Sequence, residues 1–447
     1  MNTLTKPDNK TFLKTLLFIA LPIMGQELLN TGVNLLDSLM VGQLSLGAIN
    51  GVGFANQIFF LMSVVMFGVN SGSAIFIGQY WGKKEPDNIR KTMGIGFGLN
   101  LGVAALFGLC AIVIPRVLIG FYTQDPASLE EGVAYIRTVS ATYFLFAVTS
   151  CFNSALRSIG QTRLPMFTTL VSLLFNGVFN YVFIFLCDMG VTGAAIATVI
   201  ARVAELLLSL VLMRRLGVPV LGPLKEYFTA TRAFVRRFFK LVLPVIANEA
   251  VWAFGVTMYQ VIYQLCGTEA QGAVQITSVA QNLFMVAGFG ISSGCGVMLA
   301  NLLGAGERDT AIAYSRKALK LVAAVSAVMG ALLLAASPLI LSLYNVSDTV
   351  KDSARNVMMV VAAGVVIKTF NFTTIVGVLR SGGDTRYCLY LDLVSVWAIA
   401  IPLSLLGAAV LHLPIHWVAA LAYSEEIFKV FLSARRVKSN VWAKCVV

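Results

Sequence analysis

The chain has 447 residues, of which 58% are hydrophobic and only 12% are charged, and its formal net charge is +12. Soluble globular proteins carry about a quarter charged residues, so this composition cannot cover a water-facing surface. The apolar residues form long blocks that match the roughly 20 residues a helix needs to cross a bilayer. They lack the alternating segments of about ten residues that are typical of a membrane β-barrel. The sequence therefore predicts an all-α membrane protein.

Twelve apolar blocks predict twelve transmembrane helices. They lie near residues 12–36, 50–76, 92–115, 133–155, 165–186, 191–213, 238–265, 274–300, 315–340, 354–378, 387–410 and 415–434. The side that holds the N-terminus carries 27 of the 33 Lys and Arg residues in its connections. Because basic connections stay in the cytoplasm, we expect both termini there, in a bacterial inner membrane. This distribution explains the basic charge without a nucleic-acid partner.

The two halves of the chain repeat each other at an offset of 222 or 223 residues. Leu21-Pro22 and Glu27 recur as Leu243-Pro244 and Glu249, and the string Leu-Arg-Ser-x-Gly-x-Thr-Arg occurs at 156–163 and at 379–386. Six spans in each repeat make the repeats parallel, which is a recurrent plan of transporters. We predict two pseudo-symmetric six-helix bundles: an N-lobe over 1–215, a basic cytoplasmic linker over 216–240 and a C-lobe over 241–447.

The sequence offers no support for an enzyme or an ATP-driven pump. It contains no GxxxxGK[ST] phosphate loop, no Ser/His/Asp or HExxH arrangement, and no CxxC spacing among its seven cysteines. Gly94-x-Gly96-x-Gly98 lies within a predicted span, where it favours close helix packing over a dinucleotide loop. We expect neither catalysis nor a cofactor, so the energy for transport must come from an ion gradient or a partner.

Polar residues inside the predicted spans are candidates for function, because a charge at mid-membrane costs about 2.5–3.5 kcal/mol on insertion scales. Asp37 lies late in the first span, Asn176 and Asn180 share one face of the fifth, and Thr198 lies in the sixth. Such oxygen-bearing side chains suit a hard cation or a proton. The alternative is that the two asparagines and Thr198 only bond helix to helix.

The second half offers Glu249 as its best acidic candidate, with a buried pair to a basic residue as the alternative interpretation. Glu27 is its equivalent in the first repeat. Lys368 and Asn371 lie one turn apart on the tenth span, where Lys368 could neutralise a carboxylate or respond to substrate charge.

Four more charged positions in the spans have simpler interpretations. Arg202 and Glu205 are three residues apart and are expected to pair. Glu425 and Lys429 are one turn apart, which favours a pair that snorkels toward the membrane surface. The sequence alone leaves Asp392, Glu425 and Glu426 ambiguous, although for Glu425 it favours the pair over a site.

Together these motifs resemble the MATE (multidrug and toxic compound extrusion) family over the whole chain. The residues that carry the resemblance are Asp37-x-x-Met-Val-Gly, Gly78-Gln79-x-x-Gly82, the doubled Leu-Arg-Ser-x-Gly-x-Thr-Arg, Asn176-x3-Asn180-Tyr181 and Gly193-Ala194-Ala195-Ile196-Ala197-Thr198. The resemblance implies two six-helix lobes and antiport of organic, often cationic, xenobiotics against sodium ions or protons.

The resemblance also implies roles for individual residues. Asp37, Asn176, Asn180 and Thr198 match a cation-coupling site in the N-lobe. Asn153 resembles a cavity residue, and Glu249 matches an acid that some members use in the C-lobe; Glu27, Lys368 and Asn371 complete the candidates for the substrate cavity or for secondary coupling. Because Lys368 lies near the place of an acid in members with a C-lobe cation site, we expect coupling in the N-lobe.

The expected partners are small organic substrates and the lipid bilayer, the expected ion is Na⁺ or H⁺, and the expected state is a monomer. Two alternatives belong to other classes. A lipid-linked oligosaccharide flippase should have a strongly basic central cavity, for which only Lys368 and Arg202 are candidates. A non-transporting membrane scaffold or receptor would show no ion-dependent flux.

Overall fold

The computed structural model describes residues 9–344 and 346–447, and every regular element in these ranges is helical. The helices of the first half are α1 (Asn9–Val41), α2 (Leu46–Lys83), α3 (Pro86–Val113), α4 (Pro115–Gly120), α5 (Pro126–Val139), α6 (Ala141–Ser158), α7 (Arg163–Asn180) and α8 (Gly190–Arg215). Helix α7 continues into a π-helical segment, Tyr181–Leu186.

The second half begins after the short helix α9 (Leu224–Tyr227). Its helices are α10 (Arg232–Leu265), α11 (Thr268–Gly304), α12 (Arg308–Ser342), α13 (Asp348–Phe372), α14 (Thr385–Leu393), α15 (Ile401–Leu405), α16 (Ile415–Ala422) and α17 (Ser424–Lys438). Three π-helical segments, Thr373–Leu379, Val394–Ala400 and Leu406–Val410, extend α13, α14 and α15.

The helical segments of the described residues reproduce eleven of the twelve predicted spans by length and composition. Ten are single segments long and apolar enough to cross a membrane, and an eleventh is the pair α5–α6, bent by 50°. The twelfth predicted span, 415–434, corresponds to two shorter helices, α16 and α17, on either side of Tyr423. It is less apolar than the others because Glu425, Glu426 and Lys429 lie on it.

The chain divides into two compact units. The N-unit is Gly25–Val242, and the C-unit combines Leu243–Val447 with the described residues of Met1–Met24. These bounds differ from the predicted lobes at α1, whose first turns pack with the second half of the chain. Leu16, Ile19 and Ile23 are buried there in one apolar cluster with Ile291 and Cys295 of α11.

Glycines allow helices within each unit to approach closely, as the small residues of membrane helices often do. In the N-unit, a Cβ atom on Gly51 of α2 would lie 2.5 Å from the amide nitrogen of Gly132 on α5. In the C-unit, a Cβ atom on Gly364 of α13 would overlap the ring of Tyr423, at the junction of α16 and α17. The close packing expected for Gly94-x-Gly96-x-Gly98 on α3 is present at Gly94, where a Cβ atom would overlap the carbonyl oxygen of Tyr227.

The predicted linker is partly structured and belongs to the N-unit. Tyr227 donates a hydrogen bond from its hydroxyl to the carbonyl of Val220 at 2.6 Å. Arg90 of α3 donates to the carbonyl of Pro219 at 2.8 Å and forms ion pairs with Asp87 and Glu226. Helix α10 begins at Arg232 and therefore overlaps the end of the predicted linker, 216–240.

Candidate functional site

Three helices of the N-unit bring the predicted cation-site residues together. Asn180 of α7 donates from Nδ2 to Oδ1 of Asp37 on α1 at 2.5 Å and to Oδ1 of Asn176 at 3.2 Å. Asn176 in turn donates from Nδ2 to Oγ1 of Thr198 on α8 at 3.4 Å. Both asparagines are buried. We call Asp37, Asn176, Asn180 and Thr198 the N-unit polar cluster.

Local helix geometry explains how this cluster forms. Asn176 and Asn180 are four residues apart, so their side chains share one face of α7. Between them, Gly177 lets α1 approach, because a Cβ atom there would lie 2.9 Å from Cδ2 of Leu36. The π-helical segment begins at Tyr181, directly after Asn180, and such widened turns are frequent at functional sites.

The cluster is rich in oxygen atoms that accept hydrogen bonds. Thr198 donates its hydroxyl hydrogen to the carbonyl of Ala194 at 3.0 Å, so its remaining lone pairs can face a ligand. Oδ1 of Asn180 is buried and has no hydrogen-bond partner among the described residues. Hard cations prefer such oxygen ligands, and the single carboxylate of Asp37 balances one positive charge. These oxygen ligands therefore fit a monovalent cation or a proton.

Two neighbours modify the surroundings of Asp37. Arg202 of α8 acts electrostatically on Asp37 and, as the sequence predicts, forms an ion pair with Glu205, with 2.8 Å between Nη1 and Oε2. Tyr135 of α5 is buried and lies close enough to interact with both Asp37 and Thr198. Sequence spacing could not place Tyr135 here, because α5 is distant along the chain from α1, α7 and α8.

The other two candidates of the N-unit, Glu27 and Asn153, make no hydrogen bond to the N-unit polar cluster within the described residues. Glu27 pairs with Arg157, with 3.0 Å between Oε1 and Nη2. Arg157 also donates to Oε1 of Gln26 from Nε at 3.0 Å and from Nη2 at 2.5 Å. Oδ1 of Asn153 is buried without a hydrogen-bond partner in the described part of the chain.

In the C-unit, Glu249 has the buried basic partner that was its alternative interpretation. Oε1 of Glu249 is 2.6 Å from Nη1 of Arg380, and the two side chains are 10% and 5% exposed. Lys368 is half-buried on α13. Asn371, one turn further on, donates from Nδ2 to the carbonyl oxygen and to Oε2 of Glu426, at 2.7 and 2.8 Å.

The two units contain the same hydrogen-bonded chain at repeat-equivalent positions. In the N-unit, Gln26 accepts hydrogen bonds from Arg157 and donates from Nε2 to Oγ1 of Thr169 at 3.0 Å. Thr169 donates from Oγ1 to Oε1 of Glu205 at 3.4 Å. In the C-unit, Asn248 receives Arg380 at 2.9 Å and donates to Oδ2 of Asp392 at 2.6 Å. Asp392 then pairs with Lys429 at 2.8 Å.

The last residue of the hydrogen-bonded series has opposite charge in the two units. The N-unit ends in Glu205 with Arg202 on the same helix, whereas the C-unit ends in Lys429 with Glu425 and Glu426. Thr169 of the N-unit also corresponds to an acid, Asp392. The C-unit therefore collects more carboxylates around this chain than the N-unit does.

The predicted snorkelling of Glu425 and Lys429 is wrong. Glu425 is 9% and Lys429 4% exposed, and Nζ of Lys429 lies between Oδ1 of Asp392 at 2.8 Å and Oε2 of Glu425 at 3.5 Å. The reason is that the start of α17 packs against α13 and the α14 region. The carboxylate of Asp392 there holds the ammonium group inside the protein.

Comparisons with known proteins cover nearly the whole chain. The chain is 23% identical over 98% of its length to the uncharacterized transporter YisQ of Bacillus subtilis, with 96% of that protein covered. It is 24% identical over 99% of its length to the probable multidrug resistance protein NorM of Thermotoga maritima, again with 96% covered.

A solved structure shows the same fold. A crystal structure of MATE in complex with MaL6 superposes with a TM-score of 0.86 over 96% of both chains, at 16% sequence identity. The sequence profile of the MatE family matches residues 22–182 and 244–406, one stretch in each repeat. These two stretches make up most of the chain, and the chain therefore belongs to the MatE family.

Proposed function

We propose that this protein is a multidrug efflux antiporter that exports organic, often cationic, xenobiotics in exchange for sodium ions or protons. Relatives named as probable multidrug resistance proteins support export. The observation that carries the coupling is the N-unit polar cluster. In it a single half-buried carboxylate, Asp37, meets amide and hydroxyl groups from two other helices.

Coupling at this cluster follows from competition for the Asp37 carboxylate. A cation or proton that binds Asp37 withdraws the negative charge to which Asn180 donates, and a hydrogen bond to a charged acceptor is worth about 1.5–3 kcal/mol. Loss of that bond loosens the attachment of α1 to α7. Ion binding from outside thereby favours the state that releases drug outward, and drug rebinding from the cytoplasm favours ion release, as alternating access requires.

The energy available from the ion is sufficient for useful export. One monovalent charge moving inward through 100 mV supplies about 2.3 kcal/mol. At about 1.4 kcal/mol per factor of ten, this supports roughly a 50-fold gradient of a neutral drug. Exchange for a monovalent organic cation is electroneutral, so only the concentration gradient of the ion then counts.

The proposed setting is a bacterial inner membrane with both termini in the cytoplasm. Support comes from the Lys and Arg residues concentrated in the connections on that side. The protein acts as a monomer on small organic substrates, without catalysis and without a cofactor beyond the coupling ion.

The test is ethidium efflux from a pump-deficient bacterium that expresses the chain, with sodium concentration and pH varied separately. We expect efflux that follows one of the two ions and falls at least tenfold in Asp37→Asn, which keeps the side-chain shape and removes the charge. The control is Glu130→Gln, because Glu130 lies in an exposed ion pair with Arg116. Well-inserted protein that exports neither ethidium nor a panel of organic cations would contradict the proposal.

A further inference from the structure

The C-unit contains a buried group of charged side chains from α10, α13, α14 and α17 that the coupling mechanism does not use. We call it the C-unit charge cluster. Its acids are Glu249, Asp392, Glu425 and Glu426, and its bases are Arg380, Lys429 and Lys368. All of its members are buried except Lys368, which is half-buried.

The contacts divide the cluster into balanced pairs and a remainder. Glu249 is balanced by Arg380 at 2.6 Å, and Asp392 by Lys429 at 2.8 Å. Glu425 and Glu426 remain, and a further base, Lys368, attracts Glu425 electrostatically. Lys429 is 3.5 Å from Glu425 but is closer to Asp392. Four acids therefore face three bases.

The charge count leaves one negative charge uncompensated when every acid is ionised. An unpaired charge inside a protein is strongly destabilising, because neither water nor an opposite charge replaces its hydration. The same applies within a bilayer, where buried acids pair or titrate. Glu425 lies ten residues after the start of α16 and thirteen before the end of α17, so neither end of the segment brings it to water.

The hydrogen bonds show a matching shortage of donors. Oδ1 of Asn371 has no donor among the described residues, although Asn371 is 2% exposed and its Nδ2 already contacts Glu426. Oε2 of Glu425 likewise accepts no hydrogen bond. The hydroxyl of Tyr259, on α10, lies close enough to Glu425 to interact with its carboxylate. Tyr263 and Tyr423 complete the titratable surroundings.

We propose that the C-unit charge cluster binds one exchangeable proton, held by Glu425 and Glu426, at a site separate from Asp37. The proton adds to a carboxylate oxygen and forms an O–H donor. This step changes the cluster from one excess negative charge to neutrality and supplies a donor to an unpartnered oxygen. On release the proton returns to water and the carboxylate charge returns. The inference does not depend on the proposed drug export.

A proton fits this cluster better than a metal ion. Within residues 9–344 and 346–447, no group of three or more His, Cys, Asp and Glu side chains is arranged to hold a metal. Amide and ammonium groups already occupy oxygens of Asp392 and Glu426. A proton needs only one carboxylate oxygen that accepts no hydrogen bond, and Oε2 of Glu425 is such an oxygen.

The test is infrared difference spectroscopy of the purified full-length protein between about pH 9 and about pH 6, a range above the pKa of about 4 of exposed carboxyl groups. The method detects the carbonyl stretch of a protonated carboxyl group. All variants carry Asp37→Asn, so that the N-unit polar cluster contributes nothing. We expect one band, equivalent to one proton per chain, that shifts in heavy water and does not respond to sodium. Glu425→Gln and Glu426→Gln should each abolish it, since either change removes the excess charge.

A base substitution tests the charge count from the opposite direction. Lys368→Gln leaves two excess negative charges, so the band should grow to about twice its area. Glu130→Gln, at an exposed ion pair, should leave the band unchanged. A band that survives both glutamine variants, or an area unaffected by Lys368→Gln, would overturn the proposal. If Glu425→Gln does not fold, the Lys368→Gln result decides alone.

Discussion

Two ion pairs occupy equivalent positions in the repeats and differ mainly in burial. Glu249 and Arg380 are 10% and 5% exposed, whereas Glu27 and Arg157 are 36% and 25% exposed. Removing one partner of a buried pair leaves an uncompensated charge, which costs about 3–5 kcal/mol, while exposed pairs contribute about 0–1 kcal/mol. The same substitution should therefore have different effects in the two units.

We predict that Arg380→Met lowers the stability of the protein by about 3–5 kcal/mol and that Arg157→Met lowers it by clearly less. Thermal unfolding of the purified protein in detergent measures both. The double variant Arg380→Met/Glu249→Met should recover much of the loss, because it removes the stranded carboxylate as well. Equal losses for the two arginine variants would contradict the argument from burial.

At the N-unit polar cluster, we predict that Asn180→Ala weakens the dependence of efflux on the coupling ion at least tenfold. The variant removes the amide that joins Asp37 to Asn176. The matched control is Asn100→Ala in the same unit, because Asn100 is fully buried and donates to Oδ1 of Asn70 at 2.8 Å. If both variants lower efflux equally at all ion concentrations, the effect is one of packing and the prediction is wrong.

At the scale of single elements, α3 offers a direct comparison between two glycines of one repeat. A Cβ atom on Gly94 would overlap the backbone carbonyl of Tyr227, whereas a Cβ atom on Gly98 would meet nothing within 4 Å. Gly94 permits the linker to approach α3 closely. At Gly98 no other part of the described structure comes close to the helix. Only the first is needed by the packing.

We predict that Gly94→Ala destabilises the protein by about 2 kcal/mol or more, because the added methyl group meets rigid backbone. Gly98→Ala should be neutral or stabilising by up to about 1 kcal/mol, since alanine is the better helix former. Thermal unfolding of both variants provides the measurement, and proteolysis of the linker provides a second one. A greater loss for Gly98→Ala than for Gly94→Ala would refute the assignment.

Much of this helical plan could be predicted from the sequence, because long apolar blocks report on membrane spans directly. The positions of Asn176 and Asn180 on one face followed from their spacing. The burial of Lys429 could not be predicted, since it depends on Asp392, which is distant in sequence. The bend at Ser140 between α5 and α6, and the sharing of α1 between the units, depend equally on contacts that no local pattern records.

At the scale of the whole molecule, two exposed cysteines mark opposite ends of the predicted topology. Cys187 lies between the π-helical end of α7 and the start of α8, and Cys445 lies near the C-terminus. The predicted orientation places Cys187 outside the cell and Cys445 in the cytoplasm. These two native cysteines can therefore report the orientation of the protein in the membrane without any added tag or inserted residue.

We predict that a membrane-impermeant maleimide added to intact cells labels Cys187 and does not label Cys445, which reacts only after the membrane is opened. The variants Cys187→Ser and Cys445→Ser assign the signals. Cys266 is half-buried and, on the same predicted side as Cys187, should react more slowly. Labelling of Cys445 in intact cells would reverse the proposed orientation.

Three of the four π-helical segments begin beside polar residues: one directly after Asn180, one two residues after Asn371 and one two residues after Asp392. Each of these segments contains a wider turn, with one residue more than a regular α-helical turn has. Because an α-helix turns about 100° per residue, sliding this surplus past Asn180 would swing its amide away from Asp37 without unfolding α7. Each of these polar residues thus lies beside one extra helical residue. A shift of that residue along the helix can convert a change of charge at the polar residue into a rotation of its side chain about the helix axis.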